Sequence, residues 1–455
     1  MSVDESELRA EVLAWRENAK AWFAQEGREV AIVVPSFRDS HLLKPLFAGL
    51  TAVTPAGKYR VVVTDDASDD AGHTAYLTKL ETELLSLTVL RNRQNGGFAS
   101  NVNRALRTLP DDIDVVLMNS DVVPFDGWLA ALQYSLHLEP ADLIAPKLLY
   151  PDGTIQFCGG MRHAQHSTSF DHRLRFRAEY FPAATVRIPT LYATGAVLYI
   201  PAATRARLGP LDTGYTWAHD DVDYAVQCWA GGGRVAIEPR AVLMHHENAT
   251  IGRASPDPRI AASHRWFWEK NGAFFDRKVR ASDGRLRVIL VTHEIGAQLD
   301  LSSLRDTIEA LSADGFSCEI WNLGGAVHFL DRDIASRGFT DAGRLAEALA
   351  VEDALKICAD WQVAQTVWLG SVQRGMPVYW ARRTVAGRDA VEDAQIQASY
   401  LPEFSIIAPD QPSAGAISAA GYTASVIVAD DSALLGALKE IAAKPDFGFR
   451  QPQPA

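Results

Sequence analysis

This sequence predicts two successive α/β units, each built on a parallel sheet covered by helices, and three observations lead to them. The first is an alternation between residues 29 and 119, in which apolar runs (EVAIVV, YRVVVT, LTVLRN, DVVLMN) are separated by helical segments (HLLKPLFAGL, GHTAYLTKLETELL, FASNVNRALRTL). Strands that are apolar throughout and joined by helical crossovers form parallel sheets buried on both faces. The second is a further alternation that starts at RVILV. It continues through SSLRDTIEALSADG, CEIWNL, the helical segment RLAEALAVEDALKI, TVWLG, MPVYWA, FSIIA and SVIVA. The third is length, since 455 residues exceed what one hydrophobic core usually organises.

Taken in order, residues 5–26 carry Leu8, Val12, Trp15, Ala19 and Trp22 at near-helical spacing, which predicts an amphipathic helix ahead of the first strand. The loops PSFRDS, DDASDD, RQNGGFAS and NSDVVP then leave the first four apolar runs. Such loops, at the carboxyl ends of parallel strands, are where open α/β sheets bind ligands. Turn chemistry alone explains Asp and Ser in DDASDD. Its company of three other polar loops at one sheet edge points to a site as well. From about residue 140 the elements shorten (LIAPKLLYPDGTIQFCGG, IPTLYATGAVLYIPAA, GRVAIEPRAVLMHHE), and DDVDYAVQCWAGG reads as a helix that opens in acid and ends in glycine. ASHRWFWEKNGAFF closes this unit, and RKVRASDGRLR has the composition of a linker. The predicted organisation is a helix over 1–28, a first α/β domain over 29–280, a second, smaller Rossmann-like domain over 285–445, and a disordered tail over 446–455.

Composition narrows the function. A net charge of −12 and a pI near 5.5 argue against a nucleic-acid surface, which a polyanion would avoid. Cys158, Cys228, Cys318 and Cys358 form no C-x-x-C pair, so neither a zinc knuckle nor a disulfide framework is expected, and a reducing cytoplasm fits. The N-terminal MSVDESELRAEVLAW is acidic and lacks the apolar core of a signal peptide. The expectation is a cytoplasmic protein. Two aromatic-rich segments, AWRENAKAWF and HRWFWEKNGAFF, leave open a peripheral contact at the inner face of a membrane. Association into a homo-oligomer is also left open.

Across roughly residues 30–280 the chain resembles family 2 inverting glycosyltransferases of the GT-A fold. The resemblance is carried, in family order, by VAIVVPSFRD, VVVTDDASDD, RNRQNGGFASNVNRAL, VVLMNSDVVP, DGTIQFCGG, TGAVLYIP, LDTGYTWAHDDVDYAVQCWAGGGRVAIEP and MHHENAT. The run is most similar to the rhamnosyltransferase-type branch that builds bacterial surface polysaccharides. The resemblance implies that Pro35 and Phe37 line a nucleobase pocket and that Asp66 accepts a hydrogen bond from a pyrimidine. It further implies that Asn95, Gly96 and Gly97 approach the ribose or phosphates of a UDP- or dTDP-sugar. Asp121 matches the metal-binding end of the family's D-x-D motif, and Asn119 replaces its first Asp. His245, with His246 as the neighbouring register, would be the partner ligand for Mg²⁺ or Mn²⁺. Asp221 matches the general base, Asp220 a donor-side position that is commonly Glu, and Asp223 caps or orients. Trp217 is placed to stack on a sugar, though a core role explains it equally.

The second unit faintly resembles the N-terminal half of family 4 (GT-B) glycosyltransferases, through RVILVTHEIGAQ, GMPVYWARRTV, ASYLPEFSIIAPDQPSAGAISAAGY and SVIVADD. That resemblance implies acceptor presentation, subunit contacts or a vestigial role. The leading expectation is transfer of a hexose or deoxyhexose, such as rhamnose, to a glycan or lipid-linked acceptor. The alternative is a non-catalytic glycan-assembly or binding module of the same fold. A sugar-nucleotide pyrophosphorylase ranks below both, because VPSFRDS lacks the glycines of its phosphate loop.

Overall fold

A computed structural model describes residues 5–443, apart from 85, 163–169, 182–183, 217, 247–257, 276–278, 282, 294–300, 325–334, 351, 372–374, 383–389, 402–403, 423–424 and 431. The predicted tail and Trp217 therefore lie outside the described residues. The chain divides into two compact units, the first holding Met1–Met161 and Phe170–Phe274, the second Arg162–Ser169 and Phe275–Ala455. Both are α/β. No helix among the described residues is long and apolar enough to cross a membrane.

The first unit opens with α1 (Glu5–Glu26) and then alternates β1 (Val30–Ser36), α2 (Ser40–Val53), β2 (Tyr59–Asp65), α3 (Ala71–Glu83), β3 (Leu87–Arg91), α4 (Phe98–Leu106) and β4 (Asp114–Met118). It continues through β5 (Val122–Pro124), α5 (Trp128–Leu138), β6 (Leu143–Leu149), β7 (Ile155–Phe157), β8 (Gly160–Arg162), β9 (Phe170–His172), β10 (Ile188–Pro189) and β11 (Val197–Ile200). The last elements are α6 (Ala202–Leu208), α7 (Asp220–Ala230), β12 (Val235–His245) and α8 (Pro258–Asn271). The main sheet runs β10-β12-β6-β11-β4-β1-β2-β3, with β5 paired to β12 and β7 to β6. Strands β1 to β4 pair in parallel and are buried through Ile32–Val34, Val61–Val63 and Val115–Met118. β11 runs antiparallel to β4 and β6, while β12 runs parallel to β6. As a result the carboxyl ends of β1 to β4, β6 and β12, together with the amino end of β11, share one edge.

Two local features aim that edge. The register of β12 on β6 shifts between Glu238 and Val242, around Pro239, which has no amide hydrogen to give a ladder. Beyond the shift, β5 adds to the end of β12 with Val122 opposite His245. The Glu238 carboxylate is fully buried at the shift and is held by Arg240, Nε at 2.6 Å and Nη2 at 2.8 Å. The same guanidinium lies 3.6 Å over the ring of Trp15, and Arg16 Nε donates to the Arg240 carbonyl at 2.7 Å. Trp22 of α1 stacks on His137 of α5 at 4.9 Å. The aromatic face of α1 is thus used within its own unit, and in α8 Phe267 and Trp268 are likewise buried.

The second unit is a seven-stranded, wholly parallel sheet of β13 (Arg287–His293), β14 (Ser317–Leu323), β15 (Ala335–Phe339), β16 (Leu355–Cys358), β17 (Met376–Trp380), β18 (Ser405–Ala408) and β19 (Ile427–Val428). Its order, β15-β14-β13-β16-β17-β18-β19, reverses direction at β13 and β16, as in doubly wound folds. Val288 and Leu290 enter one core, Ile289 and Val291 the other. Sequence reading is corrected in two places. RLAEALAVEDALKI is not one helix: the helix ends at Ala350, and Leu355–Cys358 is a central strand. Lys356 disguises it, yet its buried ammonium donates to the carbonyls of Leu349 and Gly370, at two helix ends. TVWLG falls in the helix Ala364–Leu369 rather than in a strand.

Replacing Arg240 by Ala strands the Glu238 carboxylate without its partner and removes the support of Trp15. The expected cost is about 3–5 kcal/mol, read as a lowered midpoint of urea denaturation. Arg240→Ala with Glu238→Gln should recover part of it.

Candidate active site

The site assembles along the shared edge through a chain of hydrogen bonds. From β1 to β2, the Asp66 amide donates to the Ser36 carbonyl at 2.9 Å. From β4 to β11, the Asn119 amide donates to the Ala196 carbonyl at 2.9 Å. From β5 to β12, the His246 amide donates to the Asp121 carbonyl at 3.0 Å. Residues far apart in sequence are thereby brought to neighbouring strand ends.

At the β2–β3 side, Asp66 anchors the glycine loop. Its Oδ1 accepts from Asn92 Nδ2 at 2.8 Å and the Gly96 amide at 3.0 Å, and its Oδ2 accepts from the Gly97 amide at 2.9 Å. Gly97 has φ of +79° where α4 begins, a conformation costly for a side chain, which is why glycine stands there. Asn95 and Gly96 are exposed, while Gly97, Pro35 and Phe37 are half-buried. Phe37 lies 4.8 Å beneath the Arg38 guanidinium. Behind this layer, buried His73 sits 3.5 Å from Asp65 and 3.8 Å from Asp39, and Ser36 Oγ donates to Asp39. Burial would raise the Asp65 carboxyl, but His73 and Ser68 outweigh it and hold it below the usual range. The carboxylates of DDASDD therefore divide: Asp65 joins a buried network, Asp66 ties the loop, Asp70 caps α3 by accepting from the His73 amide, and Asp69 pairs with Arg38 on the surface.

At the centre, Asp121 Oδ1 and His245 Nε2 face each other at 3.1 Å, and both residues are buried. On the far side of the ring, Nδ1 lies 2.6 Å from Oε1 of Gln156, whose Nε2 donates to the His245 carbonyl at 3.2 Å. With Nδ1–H donating to Gln156, the Nε2 lone pair is turned toward a carboxylate. Two acceptors at 3.1 Å are stable only with a proton or a cation between them, so the donor set fits a divalent metal. Among the described residues no group of three or more His, Cys, Asp or Glu side chains converges, so water or ligand oxygens would complete the coordination of an ion held here. Among the described residues, no hydrogen bond links the side chain of His246 or of Asn119 to this pair.

Near the amino end of β11 stands α7. Asp221 Oδ2 accepts from the Gly195 amide at 2.9 Å, and Oδ1 accepts from the Val222 amide at 2.8 Å. A Cβ at Gly195 would lie 3.3 Å from the Asp221 Cβ, so glycine permits the approach. Ala218 and His219 just before α7 both have positive φ, +65° and +72°, local strain of the kind that collects at functional sites. Burial, then its carboxylate neighbours Asp221 and Asp223, push Asp220 up to about 7. Burial also raises Asp221 against the pull of the Gly195 and Val222 amides. His219 gives no compensating charge, since burial and nearby His264 lower it to about 4. Asp223 has a structural task, accepting from Lys270 Nζ at 2.9 Å and Asn271 Nδ2 at 2.7 Å to fasten α7 to α8.

Sequence reasoning missed Gln156 and Gly195, although both lie in segments (DGTIQFCGG and TGAVLYIP) that carry the family resemblance. Neither has chemistry of its own to announce; each acts through the residue it touches.

The chain is 26% identical over 246 residues, 53% of its length, to the uncharacterized protein y4gI of Sinorhizobium fredii (strain NBRC 101917 / NGR234), and spans 27% of that relative. Among solved structures it is similar to GalNAc-T7 with UDP, GalNAc and Mn²⁺ (TM-score 0.44, 14% identity, 54% of this chain and 48% of that one). It is also similar to the mannosyltransferase PcManGT of Pyrobaculum calidifontis with GDP-Man and Mn²⁺ (TM-score 0.37, 16% identity, 68% of this chain and 90% of that one). Residues 31–192, within the first unit, match the family model described as Glycosyl transferase family 2, so this stretch of the chain is similar to glycosyltransferases of that family.

Proposed function

We propose that the first unit is an inverting, divalent-metal-dependent glycosyltransferase that moves a hexose or deoxyhexose from a UDP- or dTDP-sugar to a glycan or lipid-linked acceptor. The observation that carries this reading is the placing of the Asp221 carboxylate, fixed by the Gly195 amide, on the same sheet edge as the Asp121–His245 pair. Each Asp221 oxygen accepts one amide and keeps a lone pair for an acceptor hydroxyl. Asp221 takes that proton as the hydroxyl oxygen bonds to the anomeric carbon, and the bond from that carbon to the diphosphate oxygen breaks on the opposite face. A single displacement inverts the centre. A cation held by Asp121 and His245 would offset the charge left on the diphosphate.

Asp66 supports a pyrimidine donor. Three of its four acceptor positions are filled by Asn92, Gly96 and Gly97, which leaves one on Oδ2. One acceptor suits the single N3–H of uracil or thymine and not the adjacent N1–H and N2–H₂ of guanine. The rhamnosyltransferase-type branch, a role in surface polysaccharide synthesis and acceptor presentation by the second unit rest on sequence resemblance, whereas a cytoplasmic setting rests on cysteine usage and a peripheral membrane contact on the aromatic-rich segments AWRENAKAWF and HRWFWEKNGAFF. Trp217 stays a candidate for sugar stacking. The alternative, a non-catalytic glycan-assembly or binding module of the same fold, is favoured by Asn119, which removes one carboxylate from the metal motif.

Three outcomes test the reading. Asp221→Asn should lower transfer, or slow donor hydrolysis if no acceptor is found, by roughly 100-fold or more while UDP affinity measured by calorimetry stays within a few-fold. Unchanged turnover would exclude Asp221 as the base. In a thermal-shift screen, UDP- and dTDP-sugars with Mn²⁺ should raise the melting point, EDTA should remove the rise, and GDP-sugars should give none. Asp220 and Asp221 bind protons more tightly in the folded chain than unfolded. This pair therefore stabilises the fold below about pH 4 and loses that contribution as pH rises toward 7. Asp220→Asn should gain stability over the wild type at pH 8 more than at pH 5, read from urea denaturation midpoints at the two pH values.

A further inference from the structure

The geometry points to Gln156 as a positioning residue that selects the proton position on His245 and so opens the Asp121–His245 pair to a cation. This rests on the metal reading above. Gln156 lies on β7, is 1% exposed, and spends both ends of its amide on one residue. Nε2 donates to the His245 carbonyl at 3.2 Å, and Oε1 stands 2.6 Å from Nδ1 of the ring.

The order of control follows from what each group can do. A backbone carbonyl only accepts. It therefore fixes which end of the amide faces it, because a reversed amide would set Oε1 against that carbonyl oxygen. With Nε2 committed there, Oε1 is left for the ring, and an oxygen acceptor next to Nδ1 requires that Nδ1 carry the proton. In the neutral ring the Nε2 lone pair is then directed at Asp121 Oδ1, 3.1 Å away. The strand that carries Gln156 is held in turn by His172, whose Nδ1 lies 3.1 Å from the Gln156 carbonyl.

The competing state defines what Gln156 prevents. Without its acceptor, the ring is free to carry its proton on Nε2 and donate it to Asp121. That hydrogen bond fills the space a cation would occupy. Partners of this kind, bonded to the second nitrogen of a metal-bound histidine, commonly contribute 10–100-fold in metal affinity.

The test uses the full-length chain and Mn²⁺ alone as probe, with bound metal obtained from the loss of the free-ion electron paramagnetic resonance signal. Gln156→Met, which keeps the volume and removes the acceptor, should weaken Mn²⁺ binding by roughly 10–100-fold. Gln156→Glu restores an oxygen acceptor toward Nδ1 and should hold affinity within about threefold of the wild type, although it buries a charge that a purely structural role would not tolerate. Equal affinity of Gln156→Met and wild type, or a Gln156→Glu variant as weak as Gln156→Met, overturns the assignment and leaves the metal reading standing. A wild type that binds no Mn²⁺ overturns the metal reading itself, and this inference with it. Should Gln156→Met fail to give the wild-type circular dichroism spectrum, Gln156→Glu decides alone: retention within about threefold supports the assignment, and loss beyond about tenfold contradicts it.

Discussion

The pairing of the short strand Val122–Pro124 with the end of β12 is the constraint on which the site depends. A chain leaving β4 in a parallel sheet would ordinarily turn away into a helix. Here it crosses to β12 first, sets Val122 opposite His245, and so brings the carboxylate of Asp121 against the imidazole of His245. The register shift after Glu238 bends β12 into place, and the Arg240–Trp15 contact ties the shift to the N-terminal helix. A helix far from the chemistry thus shares in the geometry of the junction.

The edge also keeps its carboxylates chemically distinct. Asp65 is held low by His73 and Ser68, Asp66 is nearly saturated by amides, and Asp220 and Asp221 are raised by burial. Environments that push like groups apart are how one fold assigns different proton tasks to the same side chain. The strain at Ala218 and His219 accompanies the last of these environments, since it turns the chain so that α7 begins with two adjacent carboxylates. Lys270 and Asn271 hold the third acid, Asp223, and with it the start of the helix.

Much of this was legible in the sequence where hydrophobic pattern and local motif agree. The valine-rich runs of β1, β2 and β4 announced a parallel sheet, and the glycine, aspartate and asparagine loops that leave them lie together on one edge of it. Legibility failed where a residue contradicts its own burial. Lys356 in the middle of β16 made a central strand look like the tail of a helix, because its neutralising partners, two helix-end carbonyls, are not local in sequence. It failed also where function is indirect. Gln156 and Gly195 are ordinary residue types whose meaning lies in contacts with His245 and Asp221, 89 and 26 positions away. Asp66 shows a third limit: its residue type suggested a ligand contact, while its three loop partners could be seen only in three dimensions.

The account stands on the claim that Asp121 and His245 hold a cation against a nucleoside diphosphate. Anomalous diffraction at the manganese edge, from crystals of the full chain grown with Mn²⁺ and UDP, tests it most directly. The account predicts one strong peak between Asp121 Oδ1 and His245 Nε2, with the diphosphate on its open side and uracil beside Asp66. A peak elsewhere, or UDP bound on this edge with no metal at that pair, would contradict it.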